Sequence, residues 1–178
     1  AQIGHLQAEA TMGGYEAAEA ALERRDAVYD SIGSLIGARS HEIARMEHAT
    51  AAWNAAFWSV PMEPGQRIVV HDHEYGANVV AFLTAVERRG VVIDRVPSDA
   101  TGQIDVEAVA DRLRRFDVAL VSLTHVPTNG GLVNPAAEVG ALSRAAGVPF
   151  LLDACQSVGQ RCFGVREAGC EWLWVRGR

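Results

Sequence analysis

Short apolar runs alternate along this chain with longer stretches whose apolar residues recur at helical spacing. Residues 1–14 carry no strong pattern, and Gly13-Gly14 predicts a turn. From Tyr15 to about Ile36, Ala21, Val28, Ile32 and Leu35 keep helical spacing, with Gly37 as the stop. Ile43 to Glu47 reads as a short strand, and Ala49 opens an apolar helix through Trp53 and Phe57 to about Ser59. After a loop from Pro61 to Gly65, Arg67 to His71 reads as a buried strand. A polar turn from His71 to Gly76 then leads into a helix from about Ala77 to Arg89. Val91 to Val96 is a strand, Pro97 to Gly102 a turn, and Asp105 caps a helix ending near Arg115. Asp117 to Thr124 is a strand, and His125 to Asn134 a long loop with glycines. Pro135 starts a helix that Gly147 ends. Phe150 to Asp153 is the next strand, followed by a short loop and a last strand around Trp172 to Val175.

This alternation predicts an α/β fold, a mostly parallel sheet wrapped by helices. No repeat or linker divides it, so residues 1–14 read as an N-terminal segment and 15–178 as one large domain. At 178 residues, 49% hydrophobic, the chain is long enough to bury one good core. No apolar run reaches membrane-spanning length, and no signal-peptide pattern opens the chain. A net charge of −6 with scattered arginines argues against a nucleic-acid surface. Three cysteines without a CxxC pair point to a reduced, cytoplasmic setting. All sixteen basic residues are arginine, so these residues supply no amine nucleophile.

Candidate chemistry gathers in loops that follow strands, since such loops converge on one edge of a parallel sheet. In Phe150-Leu151-Leu152-Asp153-Ala154-Cys155-Gln156 a buried strand delivers a carboxylate and then an amide to that edge. A carboxylate leaving water needs a positive partner, and the protonated ring nitrogen of pyridoxal phosphate is one that fits. An Asp capping the next turn is the plainer alternative. Thr50 opens a helix, either as an ordinary N-cap or as part of an anion cradle. His71, His73, Glu74 and Tyr75 lack the spacing of a recognised metal-ligand set, so no metal is assigned. Tyr75 suits stacking on a flat cofactor, or partial burial at a helix start. His125, Pro127, Thr128, Asn129, Gly130, Gly131 and Asn134 form a loop that either approaches a ligand closely or simply turns.

Four stretches, in order and each at a strand end, resemble the class V aminotransferase family, which includes cysteine desulfurases and related carbon–sulfur lyases. They are His48-Ala49-Thr50-Ala51-Ala52-Trp53-Asn54, Asp72-His73-Glu74-Tyr75-Gly76-Ala77-Asn78, Thr124-His125-Val126-Pro127-Thr128-Asn129-Gly130-Gly131 and Leu152-Asp153-Ala154-Cys155-Gln156. The resemblance implies the large cofactor-binding domain of a fold-type I pyridoxal 5'-phosphate enzyme, without its small C-terminal domain. It implies that Thr50, with Ala49 and Ala51, holds the cofactor phosphate, and that Tyr75 stacks on the ring, where desulfurases usually place His. It further implies that Asp153 binds the ring nitrogen and Gln156 the ring oxygen. Thr128 stands where desulfurases place Asn beside that oxygen, with Asn129 as the alternative. Asp153 and Tyr75 are then the catalytic pair.

Trp172-Leu173-Trp174-Val175-Arg176-Gly177-Arg178 is similar to the family's approach to its Schiff-base lysine, which is expected one position after Arg178. Arg176 and Arg178 would then stand near the phosphate. The implied reaction acts on a small amino-acid substrate through an external aldimine, as a carbon–sulfur lyase or a cysteine desulfurase-like enzyme. An aminotransferase or epimerase on the same scaffold is the alternative. A non-catalytic nucleotide-binding module is remote, because no glycine-rich fingerprint follows the first strand. Cys155, Cys162 and Cys170 do not match the desulfurase nucleophile, and Cys155 reads as packing. The family implies a homodimer, with no nucleic-acid or membrane partner.

Overall fold

Consecutive apolar residues in β1 (Arg67–His71) suit a strand covered on both faces. In the computed structural model, which describes residues 2–176, β1 lies inside a five-stranded, wholly parallel sheet. Its companions are β2 (Val92–Val96), β3 (Val118–Thr124), β4 (Phe150–Asp153) and β5 (Trp172–Trp174), in the order β2-β1-β3-β4-β5. The chain leaves β1 for β2 on one side and then crosses back past β1 to β3. Adjacent strands β1 and β3 therefore feed crossovers that run in opposite directions, which opens a crevice at their carboxyl ends.

The chain divides into two compact units, Ala1–Ile43 and Ala44–Arg178. The first holds α1 (Gln2–Met12), α2 (Gly14–Ala20), α3 (Leu22–Ile36) and a 3-10 turn at Ser40–Glu42. The division expected at residue 14 falls inside this unit. A helix occupies the first residues, where no pattern was legible, because α1 buries none of its residues and so carries no apolar stripe. The single helix expected from Tyr15 to Ile36 is two, α2 and α3, meeting at Ala21.

The second unit holds α4 (Ala49–Ser59), α5 (Gly76–Arg89), α6 (Val106–Arg115), α7 (Ala136–Ala146) and α8 (Val165–Ala168) around the sheet. Alternate strand residues feed two cores. Ile68, Val70, Leu120 and Leu151 pack with Trp53 and Phe57 of α4 and Phe82 of α5. Val69, Val121, Leu123, Phe150 and Leu152 pack with Val109 of α6 and Val139 of α7. Each fully buried side chain of this kind contributes roughly 1.5–3 kcal/mol. Asp105 starts α6 by accepting the Ala108 N–H at 3.0 Å, and Gly90 and Gly147 end α5 and α7 at φ 68 and 67, a region costly for residues with a Cβ.

Two sequence expectations give way. Ile43 to Glu47 is not a strand, since residues 44–47 are exposed and offer no face to bury. The loop before β5 contains α8, four residues long and too short for helical spacing to show.

Gly140 lies in α7 where a Cβ would run into the Ala168 carbonyl oxygen at the end of α8. Alanine normally gains roughly 1 kcal/mol over glycine inside a helix. Here the obstacle is backbone and cannot rotate aside, so Gly140→Ala should destabilise the fold by about 2 kcal/mol or more. Urea denaturation should show a lower midpoint at unchanged slope; a raised midpoint would mean that α7 and α8 are not in contact there.

Candidate functional site

The carboxyl ends of β1, β3 and β4 bring together groups that lie far apart in sequence. Parallel register sets Thr124, the last residue of β3, beside Asp153, the last of β4. Asp153 is buried, at 5% exposure, and its Oδ1 accepts the Cys155 N–H at 3.1 Å. Its Oδ2 accepts from Asn78 Nδ2 of α5, also at 3.1 Å. The Cys155 thiol is a further donor. Burial raises the Asp153 carboxyl above the usual range against these donors, and no positive charge faces it among the described residues.

Glu74, in the loop after β1, is the second acid of this edge. Its Oε1 accepts the Thr124 N–H at 2.9 Å, and its Oε2 accepts the Thr124 hydroxyl at 3.1 Å and Asn78 Nδ2 at 3.4 Å. Burial, and after it the charge of Asp153, pushes Glu74 up to about 7. The sequence placed Glu74 among metal candidates and gave Asn78 no role. No local spacing signals the pair, since Glu74 precedes the Tyr75 N-cap of α5 and Asn78 lies in its first turn.

Around this pair the remaining candidates take their positions. Tyr75 begins α5 through its carbonyl, which accepts the Asn78 and Val79 N–H groups, while its side chain is 50% exposed. Gln156 Nε2 donates to Thr128 Oγ1 at 3.3 Å, joining the loops after β4 and β3. In the latter, the Gly130 and Gly131 N–H groups close a turn on the Pro127 carbonyl. Asn129 is exposed, and Asn134 is buried, donating to the Thr124 carbonyl at 2.8 Å. His125 is buried against the Phe163 ring, and His71 bonds Ser98 Oγ at 3.0 Å with its ring edge-on to His73. Among the described residues no group of three His, Cys, Asp or Glu side chains converges as a metal would need.

At the start of α4 the N-cap is His48 rather than Thr50: His48 Nδ1 accepts the Ala51 N–H at 3.1 Å. The Ala49 and Thr50 N–H groups and the Thr50 hydroxyl take no partner among the described residues. A helix start that keeps free N–H groups beside its cap is an anion-binding position. Cys155 packs against the Trp53–Phe57 core and hydrogen-bonds Asp153. The Arg176 N–H and charge stand against its sulfur, yet burial and Asp153 push the thiol up to about 12. Arg178 lies outside the described residues.

A family model described as Aminotransferase class-V matches residues 2–177. A probable cysteine desulfurase of Synechocystis sp. is 30% identical over 169 residues, 93% of this chain and 40% of the relative. The chain thus spans about two-fifths of the length of such relatives. An apo cysteine desulfurase from Thermococcus onnurineus shares the fold at a TM-score of 0.81 and 19% identity, over 89% of this chain and 40% of that one. So does a C-DES mutant with glycine covalently linked to its pyridoxal phosphate cofactor, at 0.80 and 20%, over 96% and 48%.

Because the folded state raises the Glu74 pKa from an ordinary 4.5 to about 7, the folded protein holds this proton more tightly than the unfolded chain. This stabilisation is fully present below pH 4.5 and is lost as pH rises through about 7. The loss should be on the order of 3 kcal/mol. Denaturation of the cofactor-free protein across pH should show it in wild type and not in Glu74→Gln. Parallel pH curves would contradict the assigned burial.

Proposed function

Because the chain belongs to the class-V aminotransferase family, we propose that it carries the pyridoxal 5'-phosphate site of an enzyme that acts on a small amino acid. The reaction is cleavage of a carbon–sulfur bond, in the manner of a cysteine desulfurase or related lyase. One observation carries this reading: Asp153 is buried at the ligand edge of the sheet with neutral donors and no cation among the described residues. A positively charged ring nitrogen supplies the missing partner. The names of the relatives, cysteine desulfurases, favour sulfur chemistry.

Pyridoxal phosphate, when bound, supplies an aldehyde that takes the substrate amine and a protonated ring that accepts electrons released at Cα. The residues of this chain hold and tune it. Asp153 keeps the proton on the ring nitrogen, and Tyr75 covers a ring face with its exposed phenol. Thr128 and Gln156, already joined, meet the ring oxygen. Ala49, Thr50 and Ala51 at the α4 start, with the Arg176 guanidinium, hold the phosphate. The donor set fits the group: an acid for the ring, a helix start and a guanidinium for the phosphate. The protein is a cytoplasmic homodimer in this reading, supported by the family and by three cysteines that are all unpaired. No helix among the described residues is long and apolar enough to cross a membrane.

A second reading is amine transfer or epimerisation, since one fold and cofactor host several reactions. Cys155 and Cys170 are both pushed up to about 12, chiefly by burial, and stay protonated at neutral pH. Neither serves as a sulfur-accepting nucleophile.

The test uses the protein expressed over its whole natural reading frame. It should be yellow, and borohydride should abolish the visible band. Sulfide or pyruvate released from cysteine supports the lyase, whereas conversion of the cofactor to its amine form supports transfer. Asp153→Ala should retain cofactor but lose on the order of 10²–10³-fold in kcat, because the carboxylate acts most on the charge that develops in the transition state. Equal turnover in variant and wild type would remove Asp153 from the mechanism.

A further inference from the structure

Glu74 meets Asp153 only through a neutral bridge. Asn78 Nδ2 donates to Asp153 Oδ2 at 3.1 Å and lies 3.4 Å from Glu74 Oε2, so one amide spans both acids. The other contacts of Glu74 are the Thr124 N–H and hydroxyl, which anchor it to the end of β3. Glu74 is thus fixed at three points, although the reading above gives it nothing to do.

We propose that Glu74 is a positioning residue for the cofactor ring. With Asp153 it forms one carboxyl pair, bridged by Asn78, that shares a single proton and releases it to solvent when the positively charged ring docks on Asp153. The inference rests on the cofactor reading given above. The balance is simple: one carboxyl O–H bond breaks, its proton goes to water, and the ring arrives already carrying its own. Two acids in one buried setting cannot both ionise without a counter-charge, and the ring provides it.

The surroundings leave Asp153 as the charge that acts on Glu74. From α5 comes the neutral Asn78, and from β3 the neutral Thr124, followed by His125, which burial keeps below its ordinary pKa. From β4 come Asp153 and, behind it, Cys155 with Arg176. On its own loop, Asp72 is paired with Arg95 at 2.7 Å and His73 turns to His71. The position of Glu74 near pH 7 places the exchange in the neutral range.

The probe is pyridoxine 5'-phosphate, which has the ring and phosphate but no aldehyde, so no amine chemistry enters. Its affinity is measured at pH 6 and pH 8 for full-length wild type and Glu74→Gln, with phosphate ionisation common to both. The ratio of wild-type to variant affinity should rise by on the order of tenfold across this range, because a ring that lowers the pKa of the pair binds better once the proton is gone. A flat or falling ratio overturns the proposal. If Glu74→Gln does not fold, calorimetry of wild type at pH 7 in two buffers of different ionisation enthalpy replaces it. Net proton release on binding is then expected, and zero release or uptake overturns it. Failure of wild type to bind either this probe or pyridoxal phosphate would instead remove the cofactor reading.

Discussion

A buried acid beside a half-buried one, with no cation between them among the described residues, dominates this structure. Asp153 ends β4 and Glu74 lies in the loop after β1, 79 positions apart in sequence, yet Asn78 touches both and Thr124 fixes Glu74 beside Asp153. In water each would ionise freely. At the sheet edge burial raises both, and the charge of Asp153 raises Glu74 further. The arrangement is electrostatically incomplete among the described residues, and the proposed cofactor would complete it with a flat cation. That is why the pyridoxal phosphate reading rests on Asp153 more than on any neighbouring residue.

The sheet supplies the rigidity this pairing requires. Strands β1, β3 and β4 are apolar on both faces and clamped between the α4–α5 and α6–α7 layers. Their register therefore has no freedom to slip, since a shift by one residue would swap the two buried faces. The carboxyl ends stop level, with Thr124 opposite Asp153. Reversal of strand order between β1 and β3 opens a crevice at this edge, where the two acids stand.

Local chemistry and tertiary chemistry part company at the start of α4. Thr50 is the residue that cap preference would choose, but His48 takes the capping role. That exchange leaves the Thr50 hydroxyl and two N–H groups available at the helix start. At Cys155, read from the sequence as packing, burial and a neighbouring acid keep the thiol protonated. Position in the chain says where such groups stand; only their surroundings decide their protonation.

By itself, the sequence determined the alternation of strands and helices from β1 to β5. Runs such as Ile68-Val69-Val70 and the punctuation of Asp105, Pro135 and Gly147 are local signals with local causes. It also singled out Asp153, because a carboxylate directly after three apolar residues is conspicuous. The tertiary structure alone decided the strand order, the failure of residues 43–47 to pair, and the contacts of Glu74. Those outcomes depend on which strand lies beside which and on how much water remains around a carboxyl group, and no stretch of adjacent residues encodes either quantity.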